Sequence, residues 1–237
     1  REGMIRFSLD GKPHEFSGDP KTPLLRWLRD EAGVTTVKDG CSPQAACGCC
    51  TVEVSGKAVL SCVTAMSQVA GKEVTTTAGI GRAAQEAFTE SFSRCGGAQC
   101  GFCIPGIVMR AWNLLKKQPD PSREEVERGL NLHLCRCTGY KKILESISQA
   151  ALILRGGKPP APAPQTGRIG TRLPKYDIKD AVLGRRPYVA DMSLPGILHA
   201  ALRLSDHPRA KVLKIDAEAA LALPGVSKVL LAGDIPG

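Results

Sequence analysis

Eight of the ten cysteines in this 237-residue chain fall into two sets of four, and their spacing suits ligands better than disulfides. The first set is Cys41-x5-Cys47-x2-Cys50, with Cys62 eleven intervening residues later; the second is Cys100-x2-Cys103 followed by Cys135-x-Cys137. Partners within such pairs are too close in sequence for ordinary structural bridges, and no cysteine follows Cys137. The first 155 residues carry normal apolar periodicity and build cores without staples, so the thiols are expected to be held for metal in a reducing, cytoplasmic compartment. Cys49 and Cys95 are surplus to the two sets and are read as structural.

The local pattern divides the chain. Residues 4–17 alternate apolar and polar about Asp10-Gly11, a hairpin signal. "TPLLRWLRDEAG" reads as a helix with Thr22 as N-cap, Pro23 at the first helical position and Trp27 at the margin of its apolar face. A second hairpin turns at Ser55-Gly56, and "KEVTTTAGI" supplies a last strand. That order predicts a β-grasp, plant-type ferredoxin-like domain over residues 1–78.

From there to residue 155 the period becomes helical. Four helices are expected, in "RAAQEAFTESFSR", "GIVMRAWNLLKK", "SREEVERGLNLHL" and "GYKKILESISQAALIL". Ser122 and Glu125 form a capping-box pattern. Residues 156–180 contain a Pro-rich linker, and 181–237 read strand, strand, helix, strand, the incomplete α/β beginning of something larger. The fold class is therefore α+β.

Each cysteine set has its own chemistry. Plant-type [2Fe–2S] proteins use C-x4-C-x2-C and a distant fourth cysteine on a β-grasp, and the first set keeps that order with one extra residue in the first gap. Gly40 and Gly48 let backbone N–H groups approach the sulfurs. A four-cysteine zinc site is the alternative, although zinc ribbons normally use two short knuckles. The second set lies at helix junctions, where exposed N–H groups suit an anionic sulfur-ligated centre.

The segments "KDGCSPQAACGCCTV", "SCV", "GGAQCGFCIPG" and "LCRCTGYKKI" resemble the iron–sulfur portion of the molybdenum hydroxylases, which include xanthine dehydrogenases and aldehyde oxidoreductases. The resemblance covers residues 4–155, and Tyr188 to Gly237 is similar to the opening of the molybdenum-binding portion. It implies an electron-transfer module with two [2Fe–2S] clusters, one on Cys41, Cys47, Cys50 and Cys62, the other on Cys100, Cys103, Cys135 and Cys137. It further implies that Gln99 and Cys137 contact a molybdopterin, in its cytosine dinucleotide form, bound mainly by the rest of the enzyme. Electrons would go on to a flavin (FAD) subunit or another acceptor, in a homo- or hetero-oligomer. The parent reaction is hydroxylation of a purine or other N-heterocycle, with a slight preference for xanthine, or oxidation of an aldehyde; its catalytic residues lie outside this chain. The x5 gap and His133, where the family commonly has Asn, depart from the family pattern.

Rival readings are a stand-alone diferredoxin and a zinc-stabilised scaffold. A formal charge of +9 suggests nucleic acid, but with 4% aromatics and basic residues spread along the whole length the chain lacks that footprint. No apolar run approaches the roughly 18 residues needed to span a bilayer. His14, His133, His199 and His207 are not needed as ligands, since eight cysteines complete two sites.

Overall fold

The computed structural model describes residues 3–159, 161, 164, 166–171 and 173–236. Two compact units divide at 192/193. The first opens with β1 (Ile5–Leu9) and β2 (Lys12–Phe16), joined through Asp10 and Gly11, both at positive φ. A two-residue turn of that hand matches the twist of the flanking strands, which is why the Asp-Gly pair sets this register. The Ser55-Gly56 turn repeats the device between β3 (Thr51–Val54) and β4 (Lys57–Leu60). With β5 (Glu73–Thr75) these strands form one sheet in the order β2-β1-β5-β3-β4, with β1 and β5 parallel and the other pairs antiparallel.

The first helix differs from the expected one. Helix α1 covers only Leu24–Arg26, with Pro23 extended before it and no side-chain cap from Thr22. The chain then widens into a π turn, Trp27–Glu31, closed by Ala32 N–H on the Trp27 carbonyl at 2.9 Å. The wider turn carries Trp27 inward, so it is buried with Leu24, Leu25 and Leu28 instead of marginal. Phe7, Val52, Met66 and Val74 complete that core.

The four expected helices follow: α2 (Arg82–Cys95), α3 (Ile104–Lys117), α4 (Arg123–Gly129) and α5 (Tyr140–Leu154). The capping box forms, with Glu125 N–H donating to Ser122 Oγ at 3.3 Å and Ser122 N–H to Glu125 Oε2 at 2.7 Å. Helix α4 stops at Gly129, short of the expected run to Leu134, because glycine is a poor helix former and Leu130 already leaves helical geometry. Phe88, Phe92, Ile107, Met109, Ile143 and Ile147 centre the helical core.

Helix α3 lies against β3. Asn113 Nδ2 donates to buried Glu53 at 2.6 Å and to the Gly56 carbonyl at 2.9 Å, and Lys116 pairs with the same carboxylate at 2.5 Å. A further helix, α6 (Ile178–Leu183), which the composition did not signal, turns four apolar side chains onto α2 and α3.

The second unit holds one short helix, α7 (Glu218–Leu221), and a 3-10 turn at Ala232–Asp234. The strands expected at "LHAALRLSDH", "KVLKID" and "KVLLAG" are absent among the described residues. An extended segment becomes a strand only by pairing its backbone, and among the described residues of this unit no two segments pair. Leu202, Leu213 and Leu230 are accordingly exposed.

Candidate metal centres

The β3/β4 hairpin places Cys50 just before one strand and Cys62 just after its partner. Ser61 N–H and Oγ both donate to the Cys50 carbonyl, at 3.2 and 2.8 Å, and the two thiols lie within reach of each other. Cys41 and Cys47 form a second adjacent pair across the preceding loop. The extra residue of the x5 gap is absorbed by left-handed turns at Ser42 and Ala45 (φ 53° and 55°). Gly40 is needed here: a Cβ on it would stand 2.9 Å from Cys49 Sγ and 3.1 Å from Cys47 Sγ.

The thiols feel two opposed influences. Burial raises Cys41, but the N–H groups of Ala46, Gln44 and Cys47 outweigh it and hold its pKa below the usual thiol value, Gln44 N–H reaching the sulfur at 3.3 Å. Burial pushes Cys50 up to about 12, and raises Cys47, Cys100 and Cys103 as well. Buried thiols of that kind are inert as free groups, and become thiolates when metal charge compensates them.

In the second set Cys103 caps α3, with Ile104 and Pro105 opening the helix, and Cys135 and Cys137 lie between α4 and α5. Cys100 is adjacent to Cys137, and Cys103 to Cys135. Tyr140 Oη pins the loop, accepting from Cys135 N–H at 2.8 Å and donating to the His133 carbonyl at 3.1 Å. Gln99 Nε2 donates to the Cys137 carbonyl at 3.3 Å, so these two residues meet at an exposed edge.

Each set therefore contains two adjacent thiol pairs, and in the first set Cys49 also adjoins Cys47. A single zinc ion needs its ligands to converge on one point. Two sulfide-bridged irons instead take two protein sulfurs each, and four thiols in two adjacent pairs fit that group.

The two loops also meet each other. Gly48 has φ 71°, and a Cβ there would fall 2.6 Å from the Leu132 carbonyl and 2.7 Å from the His133 ring. Leu134 N–H donates to the Cys47 carbonyl at 2.9 Å. His133 Nε2 is 3.1 Å from the Thr51 hydroxyl, which itself donates to the Gly48 carbonyl at 2.7 Å. Burial first, then the nearby Arg110 guanidinium, hold His133 down at about 4, so the imidazole is neutral. Cys49 is buried between the sets, sensed by Cys47, Cys50 and Cys41 on one side and by Cys103 on the other.

Residues outside both motifs complete the surroundings. Tyr188 donates to the Cys100 carbonyl at 2.6 Å, and Lys38 pairs with Asp191 at 2.6 Å. Both contacts join residues more than eighty positions apart, so no local pattern marks them.

Residues 7–68 match the 2Fe-2S iron-sulfur cluster binding domain, and residues 76–148 match the [2Fe-2S] binding domain. Residues 183–237 match the a/b hammerhead domain of aldehyde oxidase and xanthine dehydrogenase. The chain is 39% identical over 242 residues to aldehyde oxidoreductase of Megalodesulfovibrio gigas, covering 97% of this chain and 27% of that protein. It is 36% identical over 147 residues to the nicotinate dehydrogenase small FeS subunit of Eubacterium barkeri, covering 62% of this chain and 93% of that protein. The crystal structure of aldehyde oxidoreductase from Desulfovibrio desulfuricans superposes with a TM-score of 0.88 at 35% identity, covering 99% of this chain and 27% of that one.

Fold and sites together define an iron–sulfur electron-transfer module with two [2Fe–2S]-binding domains. The chain belongs to the molybdenum hydroxylase family of aldehyde oxidoreductases and xanthine dehydrogenases, and is the iron–sulfur module of such an enzyme. It spans about a quarter of the length of the aldehyde oxidoreductase it matches.

Proposed function

We propose that this chain carries electrons away from a molybdopterin centre in an enzyme that oxidises an aldehyde to a carboxylate, passing them to a flavin subunit or another acceptor. The aldehyde is favoured over a purine because similarity to an aldehyde oxidoreductase runs through 97% of the chain, linker included. The observation that carries the electron-transfer reading is the pairing of eight thiols, two by two, in adjacent loops.

On this reading Cys41, Cys47, Cys50 and Cys62 hold the first cluster, on a β-grasp domain over residues 1–78, supported by the sheet order β2-β1-β5-β3-β4. Cys100, Cys103, Cys135 and Cys137 hold the second, on the helices of 79–155, with residues 156–180 as the linker and 181–237 opening the molybdenum-binding domain. When bound, each cluster takes up and releases one electron at a time. The protein's part is to fix the thiols, supply N–H donors such as that of Gln44 to Cys41, and hold the two loops together through Gly48 and His133. Gln99 and Cys137, neighbours at an exposed edge, are the proposed contacts of the molybdopterin, in its cytosine dinucleotide form. The working enzyme is placed in the cytoplasm, as an oligomer with its molybdenum and flavin partners. Among the described residues no helix is long and apolar enough to cross a membrane.

Anaerobic addition of benzaldehyde, and separately xanthine, to the full-length enzyme tests the substrate. Bleaching of visible absorbance by the aldehyde alone is expected. Bleaching by xanthine alone would reverse the assignment.

A further inference from the structure

The stretch from Asp177 to Asp191 begins within the last residues of the linker yet packs over the second cysteine set. Its first half, α6, is buried against α2 and α3. At Gly101 (φ 89°), between two of the cysteines, a Cβ would stand 2.9 Å from both Ala181 Cβ and Tyr188 Oη, so the segment is pressed onto the loop. Two side chains of the segment converge on one atom there. Tyr188 Oη donates to the Cys100 carbonyl at 2.6 Å, and Arg186 Nη1 donates to the same oxygen at 3.3 Å while pairing with Asp177 at 3.1 Å. Cys100 is the one exposed cysteine of the ten.

Tyr188 is itself held from several sides. Its ring meets Phe102 edge to face at 5.0 Å, with Lys38 Nζ at 5.1 Å and the Arg186 guanidinium at 5.3 Å from its centre. Its N–H donates to Asp191 at 3.0 Å. That carboxylate is 2% exposed and also receives Lys38 at 2.6 Å, 1% exposed, and Arg29 at 2.8 Å. A buried carboxylate answered by two cations is costly to assemble from half its members, so this end of the segment has one seated position. Lys38 lies three residues before Cys41, so the anchor is built on the first cluster's loop.

We propose that residues 177–191 are a clamp on the second cluster, in which Tyr188 and Arg186 are positioning residues that raise its reduction potential. This rests on the iron–sulfur reading above. Reduction adds one electron and no proton, so negative charge grows on the cluster. An O–H dipole and a guanidinium, the latter held between the Cys100 carbonyl and Asp177, turn their positive ends to that carbonyl and stabilise the added charge, and charge, hydrogen bonds and solvent exposure are the levers that set such potentials. Tyr188 keeps its proton and is not oxidised.

The experiment is an EPR-monitored potentiometric titration of the full-length enzyme and its Tyr188→Phe, Arg186→Gln and double variants. Cys103→Ser assigns the second cluster's signal. Tyr188→Phe keeps the ring contacts and removes only the hydroxyl. At the potential that half-reduces the wild-type second cluster, each single variant is expected to lower the reduced-to-oxidised ratio about threefold. The double variant should lower it about tenfold, or about 59 mV for one electron. The first cluster should not move, and Arg186→Lys should recover part of the shift. Unchanged midpoints with a lower melting temperature would overturn the clamp and leave a packing role only. Absence of two cluster signals in the wild-type enzyme would instead sink the iron–sulfur reading, and this inference with it.

Discussion

Replacing Gly48 with alanine tests whether the two cysteine loops bear directly on each other. Two separable penalties follow from the structure. The residue sits at φ 71°, and a left-handed conformation costs a residue with a Cβ about 1–2 kcal/mol. The new Cβ would also lie 2.6 Å from the Leu132 carbonyl and 2.7 Å from the His133 ring, and forcing such an overlap costs about 1–3 kcal/mol. The sum is about 2–5 kcal/mol. Gly56→Ala is the matched control, because φ there is 81° and nothing lies within 4 Å of the added atom. It should cost only the conformational part, about 1–2 kcal/mol. The assay is urea denaturation of both variants, purified without oxygen and followed by circular dichroism, comparing midpoints at constant slope. The excess for Gly48→Ala should be about 1–3 kcal/mol. Losses equal within about 0.5 kcal/mol, the usual limit of additivity, would refute the contact between the loops.

Other consequences concern the anchor and the caps. Asp191→Ala leaves Lys38 buried without its carboxylate and should cost about 3–5 kcal/mol in the same denaturation assay, whereas a loss below about 1 kcal/mol would show that the pair is solvated. Burial raises the Asp191 carboxyl, but Lys38, the Tyr188 N–H and Arg29 outweigh it and hold its pKa below the usual carboxylate range. The unfolded chain then binds the extra proton, so this stability is present above the ordinary carboxylate pKa and is lost as pH falls through the folded value. Asp191→Asn should flatten that acid limb of a stability–pH profile, and an unaltered limb would assign it to other carboxylates. Ser122→Ala removes the N-cap of α4 and should cost about 1 kcal/mol, measured by thermal unfolding.

Much of this organisation was legible in the residues because its causes are local. Asp10-Gly11 and Ser55-Gly56 specify tight turns of one hand, and both hairpins formed there. The capping box at Ser122 and the proline at the start of α3 likewise act within a few residues of themselves. What escaped depends on distant partners or on small changes of helical pitch. The π turn that buries Trp27 differs from an α turn by one residue in its hydrogen bond, which apolar spacing does not resolve. The strands expected after residue 197 show the reverse error: the segments were read as strands, but among the described residues none has a pairing partner. Helix α6 and the Lys38–Asp191 pair are fixed by contacts across the chain, the latter over 153 positions, and neither has a local signature. Cysteine spacing announced two sets of thiols, while their two-plus-two pairing needed the hairpin and the helix junctions to bring them together.

Whether the eight thiols hold two binuclear iron centres is decided by metal analysis and low-temperature EPR of the dithionite-reduced protein, purified without oxygen. About four irons per chain and two distinct S = 1/2 signals are expected, with Cys50→Ser and Cys103→Ser each altering a different one. Zinc without iron, or one signal altered by both substitutions, would contradict this.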